Sequence, residues 1–266
     1  MRGTIRIRDL LELTSFLLSD GGLSPRGKES WTIYLRNKDQ KIIEKFQNVL
    51  FRASEKKGSE QKRKDGTKFV KLHSKELGKE LLKLSPTYRT SRRNSYPPCP
   101  GISGGRCSCS ICGTDAKIDE YPPVKIPDEI FTDVELAKKF VKIYASCDGG
   151  VSVTFAKKSK YPFLVRKIFI SVTPPELKKQ LISLLRFLGF SPREYDGQIR
   201  LTTKFDIKKF EKIGFIEGCK ITDDSPFLSG LEKNFVLQKI INSYDNPSLL
   251  INFLKEKVSQ SELIRD

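Results

Sequence analysis

The sequence predicts an α+β protein built from two copies of one unit. Two observations carry this reading. Leu13-Thr14-Ser15-Phe16-Leu17-Leu18-Ser19-Asp20-Gly21-Gly22 and Val141-Lys142-Ile143-Tyr144-Ala145-Ser146-Cys147-Asp148-Gly149-Gly150 are helix-spaced apolar stretches, each ending on an aspartate and two glycines. The aspartates lie 128 residues apart in a chain of 266, and each stretch opens a similar succession of strand and helix patterns. A third observation concerns the partner. Lys and Arg number 49 against 32 Asp and Glu, a net charge of +17 with a pI near 9.6, which calls for a polyanion.

Taken in order, Asp9 is placed to cap a first helix whose apolar positions are Leu10, Leu13, Phe16 and Leu17. Ser15 and Ser19, four apart, put small side chains on one face and let another helix approach closely. Residues 30–36 alternate as a strand: Trp31, Ile33 and Leu35 point one way, Ser30, Thr32, Tyr34 and Arg36 the other. A helix over 39–52 follows, with Ile42, Ile43, Phe46, Val49 and Leu50 as its stripe. Residues 55–66 read as a charged turn, 67–73 as a strand, and 74–84 as a helix capped by Ser74. Residues 85–130 break the rhythm, with half of the 14 prolines, a basic run ending in Arg92 and Arg93, and four cysteines. A stretch of that length is a functional insertion or a linker. The succession then repeats: a helix over 133–148, strands over 151–156 and 165–171, and a helix over 174–189. An Asp196-Gly197 hairpin leads into a strand over 198–203, where Gln198, Arg200 and Thr202 share a face, and a helix covers 206–213. Residues 232–262 read as a helical tail without a motif. The expected division is a first unit over 1–85, a Pro/Cys-rich insertion over 86–130, and a second unit with its tail over 131–266.

The aspartates are oddly placed for ordinary helices. A carboxylate at a helix C-terminus meets the negative end of the dipole. The glycines account for the helix ending, since the next residue commonly turns left-handed, but not for the charge. If the two helices pack side by side, like charges converge, and a divalent cation resolves the conflict.

Both segments, Leu13 to Gly21 and Val141 to Gly149, resemble the LAGLIDADG motif of homing endonucleases. The resemblance extends over the order of elements through residues 10–84 and 133–215, and is nearest to the single-chain archaeal enzymes. It implies two pseudo-symmetric αββαββα units whose saddle-shaped antiparallel sheets lie on double-stranded DNA. It further implies that the motif helices bring Asp20 and Asp148 to Mg²⁺, with Mn²⁺ or Ca²⁺ able to take its place and Gly21 and Gly149 beside it. The glycine backbones are expected to let a phosphate approach. The implied activity is phosphodiester hydrolysis by a monomeric DNA endonuclease. The family also places polar or basic residues after the second strand of each unit. Asn37 and Lys38 stand there in the first unit, with Lys38 a candidate for steadying phosphorane charge. Val172 and Thr173 fill the equivalent place in the second, and Val151 sits where a lysine sometimes follows the acidic residue, so the halves are expected to be unequal. The rival reading is a non-cleaving relative, an intron maturase that binds intron RNA or a DNA-binding regulator. Retention of both aspartates favours the enzyme.

Candidate DNA contacts are Tyr34, Arg36, Lys68, Lys71, Lys157, Lys158, Lys160, Arg166, Lys167 and Arg200, basic or polar positions on predicted strands or their connections. Cys99, Cys107, Cys109 and Cys112 are spaced so that four thiolates could close on a structural Zn²⁺, with disulfides or an unliganded loop as the alternatives. The cluster alone would support a third reading, a zinc-stabilised RNA-binding protein. Cys147 and Cys219 are assigned to the core and His73 to a structural role. No apolar run is long enough to span a membrane and the start lacks a signal-peptide core, so an intracellular protein is expected.

Overall fold

The computed structural model describes residues 6–26, 30–91, 102–103, 106–107, 116–117, 121–156, 163–222 and 228–262. In the first unit, α1 (Ile7–Leu18) leads through β1 (Gly21–Arg26) and β2 (Ser30–Asn37) to α2 (Gln40–Ser54). The strands β3 (Ser59–Lys62) and β4 (Lys68–Ser74) and the helix α3 (Lys75–Leu84) complete it. Three two-residue strands, β5 (Ile102–Ser103), β6 (Arg106–Cys107) and β7 (Ala116–Lys117), form a small sheet of their own. After a 3₁₀ turn at Asp128–Phe131 the pattern repeats as α4 (Val134–Asp148), β8 (Gly149–Ala156), β9 (Phe163–Ser171) and α5 (Pro175–Phe187). It continues as β10 (Arg193–Tyr195), β11 (Gln198–Leu201) and α6 (Lys204–Phe210), and the tail supplies α7 (Lys233–Asn242) and α8 (Pro247–Glu262).

The two larger sheets are antiparallel and have the same strand order, β1-β2-β4-β3 and β8-β9-β11-β10. Gly21 pairs with Leu35 and Gly149 with Ile170. That register sets Val172 and Thr173 at the positions of Asn37 and Lys38 in the repeat. The helices α1 and α4 pack on each other and bury Leu13, Phe16, Leu17, Phe140, Val141 and Tyr144, each contributing roughly 1.5–3 kcal/mol by leaving water. Ser15 and Ser19 are buried at this interface with their hydroxyls donating to the carbonyls of Leu11 and Ser15. Local caps fix the other helices. Asp39 Oδ1 accepts from the amides of Lys41 and Ile42, Asp133 Oδ1 from those of Glu135 and Leu136, and Ser74 Oγ from that of Leu77.

Three details differ from the sequence reading. Asp9 lies inside the first turn of α1, not at its cap; Arg52 of α2 draws its carboxylate into a 2.8 Å ion pair. Residues 55–66 contain a strand, β3, whose four residues are all exposed, so no apolar alternation marks it. Strand β1 went unread because it carries two glycines and Pro25; as an edge strand it tolerates a residue that cannot donate. The insertion is in part packed. Tyr88, Val124, Ile126 and Ile130 are buried, Ser85 Oγ accepts from the Lys125 amide, and Gln180 Oε1 accepts from that of Ile126. Cys99, Cys109 and Cys112 lie outside the described residues, as do Lys157, Lys158 and Lys160, and Cys107 is described only as backbone of β6. Among the described residues no helix is long and apolar enough to cross a membrane.

Candidate active site at the helix interface

Because α1 and α4 run side by side, Asp20 and Asp148 emerge together, and their side chains hydrogen-bond to one another. Loss of water raises the pKa of both. The Asp20 charge pushes Asp148 further, well above the ordinary carboxylate range. Two like groups this close ionise as a pair, and putting both charges there at once is costly. Asn37 Nδ2 donates to Asp20 Oδ2 at 2.5 Å. Its amide cannot turn over, because Asn37 Oδ1 accepts from the Asp39 amide at 2.6 Å.

A lysine from the tail completes the arrangement. Lys233, at the start of α7, is only 5% exposed. Its Nζ donates to the carbonyls of Ser146 and Gly149, both at 2.7 Å, and its charge draws both aspartates down. It also places a cation at the negative end of α4. Sequence reasoning missed it. Its one local signal is a cation in the first turn of an apolar helix, where the dipole disfavours it.

The glycines act differently from the expectation. None of Gly21, Gly22, Gly149 and Gly150 has a left-handed φ, and Gly149 is extended at φ −129°. The need is space. A Cβ on Gly21 would lie 2.7 Å from the Tyr34 carbonyl oxygen and 2.9 Å from Leu17 Cα, and one on Gly149 would lie 2.6 Å from the Phe169 carbonyl oxygen. The chain passes from helix to strand so tightly that it grazes its own backbone. The rings of Tyr34 and Phe169 fill the room above Gly22 and Gly150, so it is protein that approaches these glycines closely. Gly21→Ala should therefore cost about 1–3 kcal/mol by overpacking against atoms that cannot rotate away. A thermal melt indistinguishable from wild type would refute this.

Two clefts of about 230 Å³ flank the aspartates. The first holds Asp20, Arg36, Asn37, Lys38 and Thr67. The second holds Asp148, Val151, Phe169, Ser171 and Lys233. Cys147 and Thr222 line both. Burial and the Asp20 charge push the Cys147 thiol well above its usual range, so it stays protonated. Among the described residues no three His, Cys, Asp or Glu side chains converge on one point. Two neighbouring half-buried carboxylates nevertheless fit a hard divalent ion that keeps water or ligand oxygens in its other positions.

Strand parity sorts the predicted contacts. Ile33, Leu35, Val70 and Leu72 face the core of the first sheet, and Thr32, Tyr34, Arg36, Phe69, Lys71 and His73 share its open face. In the second sheet Ile168, Ile170, Ile199 and Leu201 are buried, leaving Lys167, Phe169, Ser171, Gln198 and Arg200 on the open face. Aromatic rings hold several cations in place. Arg36 lies 5.1 Å from the Phe69 ring centre with its Nε buried and unpartnered, Arg200 lies 3.9 Å from that of Tyr195, and Lys167 lies over Phe169. Lys68 and Arg166 have core parity and are engaged elsewhere. Lys68 donates to Gln40 and pairs with Glu60, and Arg166 donates to the hydroxyl and carbonyl of Ser243 against the Tyr244 ring. His73, read as structural, is exposed on the open face, 2.9 Å from the Thr32 hydroxyl, and Gln198 shares the open face of Arg200, as its strand parity indicated. Cys219 is buried with its thiol pushed up to about 12 by burial.

No protein-family model and no curated protein matches the chain. Solved structures do. The LAGLIDADG homing endonuclease I-SmaMI bound to cleaved DNA is similar at TM-score 0.55 and 14% identity, over 98% of this chain and 97% of that one. The LAGLIDADG meganuclease I-AabMI bound to uncleaved DNA is similar at 0.54 and 13%, over 96% and 97%. I-SmaMI bound to an uncleaved target in the presence of calcium ions gives 0.53 and 14%, over 95% and 97%. At these identities the likeness establishes the fold, which is the two-unit LAGLIDADG fold.

Proposed function

We propose that the protein is a LAGLIDADG-type, divalent-metal-dependent DNA endonuclease. One observation carries the proposal: two carboxylates meet at abutting helix ends, between two sheets whose open faces present Arg36, Lys71, Lys167 and Arg200. Tyr34 and these four cations are the proposed DNA contacts, and the relatives solved with DNA support that partner.

When bound, Mg²⁺ or Mn²⁺ would activate a water and stabilise the leaving oxygen of an in-line displacement. Asp20 and Asp148, once ionised, would hold the cation, and Ca²⁺ could take its place. Asn37 keeps Asp20 in one rotamer. Lys233 offsets the paired negative charge, so both carboxylates can ionise when the cation arrives. Lys38 and Arg36, in the first cleft, can meet the phosphate oxygens. The test is plasmid cleavage in Mg²⁺ over a randomised target library. Linear product that chelator abolishes is expected, and DNA binding without cleavage in any divalent ion would favour the non-cleaving reading.

The two clefts are proposed to act unequally. The first offers Lys38 with no carbonyl among the described residues claiming its ammonium, whereas Lys233 in the second is committed to two carbonyls and Ser171 stands where the first has Arg36. Nicked circles should accumulate before linear product. Lys38→Ala should slow one strand by on the order of a hundredfold, as losing one oxyanion donor does, with DNA affinity nearly unchanged. Simultaneous cutting of both strands by the wild type would end this reading.

A further inference from the structure

A cavity of about 790 Å³ opens between the N-terminal half of α1, the first two-thirds of α4, the middle of α2 and the turn after α6. Its floor is apolar, formed by Leu136, Ile143, Ile213 and Ile216. The charges on its rim divide into two groups. Glu135 pairs with Lys138 at 2.6 Å, and Asp133 is spent on capping α4. Glu12 is enclosed by Lys139 at 2.6 Å, Arg52 at 2.6 Å and Lys45 at 3.5 Å, so its single charge is over-compensated. Arg8, Lys142 and Lys212 remain, with no ion pair among the described residues, against Glu217 alone.

An apolar floor with surplus cations on its rim suits a partner that offers carboxylates around an apolar anchor. A nucleic acid fits poorly, since among the described residues no aromatic ring lines the cavity for stacking. A second copy of the chain fits poorly too, given its charge of +17. We propose that this groove docks an acidic, leucine-bearing segment of a partner protein. Arg8 precedes Asp20 by twelve residues, about 18 Å along the helix axis, so the groove and the sheet faces can be occupied together.

The probe is a fluorescein-labelled amphipathic peptide of glutamate and leucine, followed by anisotropy on the full chain with and without saturating duplex DNA. Binding that duplex does not displace is expected. The triple reversal Arg8→Glu, Lys142→Glu, Lys212→Glu should weaken it at least about tenfold, while Arg36→Ala with Lys71→Ala leaves it intact. The neutral triple Arg8→Gln, Lys142→Gln, Lys212→Gln, checked by thermal melting, should weaken it too and guards against misfolding of the reversal. No peptide binding, affinity unmoved by either triple, displacement by duplex, or displacement by a single-stranded RNA would each overturn the proposal. DNA cleavage measured on the same variants separates that outcome from failure of the endonuclease reading.

Discussion

Asp148→Asn is expected to abolish strand cleavage and, in the absence of metal, to raise the melting temperature. The two effects share one cause. In the folded chain Asp148 is held well above its usual pKa by burial and by Asp20, whereas the unfolded group ionises near pH 3.9. The folded state therefore binds the proton more tightly, and metal-free stability falls as pH rises from about 3.9 through the raised folded value. An asparagine carries no such charge, and its Nδ2 can still donate to Asp20. At neutral pH the gain should be about 1–4 kcal/mol, comparable to replacing a buried ion pair with well-packed apolar residues. Cleavage should fall by on the order of a thousandfold, because several kcal/mol of metal-borne charge stabilisation are lost. Mg²⁺ should raise the melting temperature of the wild type and leave that of Asp148→Asn unmoved. A variant less stable than wild type across pH 4–8 without metal would show that the pair is not in conflict. A variant that cleaves normally would remove Asp148 from the mechanism.

Lys233→Met should act in the opposite sense on stability. It strips two buried carbonyls of their donor and leaves the aspartate pair without its cation. Breaking a buried charge arrangement from one side costs about 3–5 kcal/mol, a fall of roughly 6–20 °C for a chain of this size. Combining it with Asp148→Asn discriminates between the two losses. If charge neutralisation is the larger one, the double variant melts above Lys233→Met by more than Asp148→Asn gains alone. Strict additivity would mean that Lys233 serves only the carbonyls.

What the sequence disclosed follows from how local each signal is. The Asp-Gly-Gly endings, the alternation of Ile33 and Leu35, and the cap at Ser74 are written within a few residues, and each was legible. Strand β3 was not, because an exposed edge needs no apolar face. Arg166 and Lys68 could have been sorted by parity, since each shares it with a buried neighbour two residues on, Ile168 and Val70; positive charge was allowed to outweigh period. Lys233 was beyond reach. Its role depends on α7 folding back beneath the end of α4, a contact across 84 residues that no spacing announces.

The stretch 216–222 has a bearing on modularity. The Ile216 amide donates to Ser146 on α4, the Lys220 amide to Asp39 at the head of α2, and Thr222 stands between the two clefts. Residues from the far end of one repeat thus finish the turn at residues 37–39 of the other. A recombinant that exchanges halves at the proline-rich insertion would inherit an unfinished turn, so a working chimera must carry 216–222 from the same parent as residues 37–39.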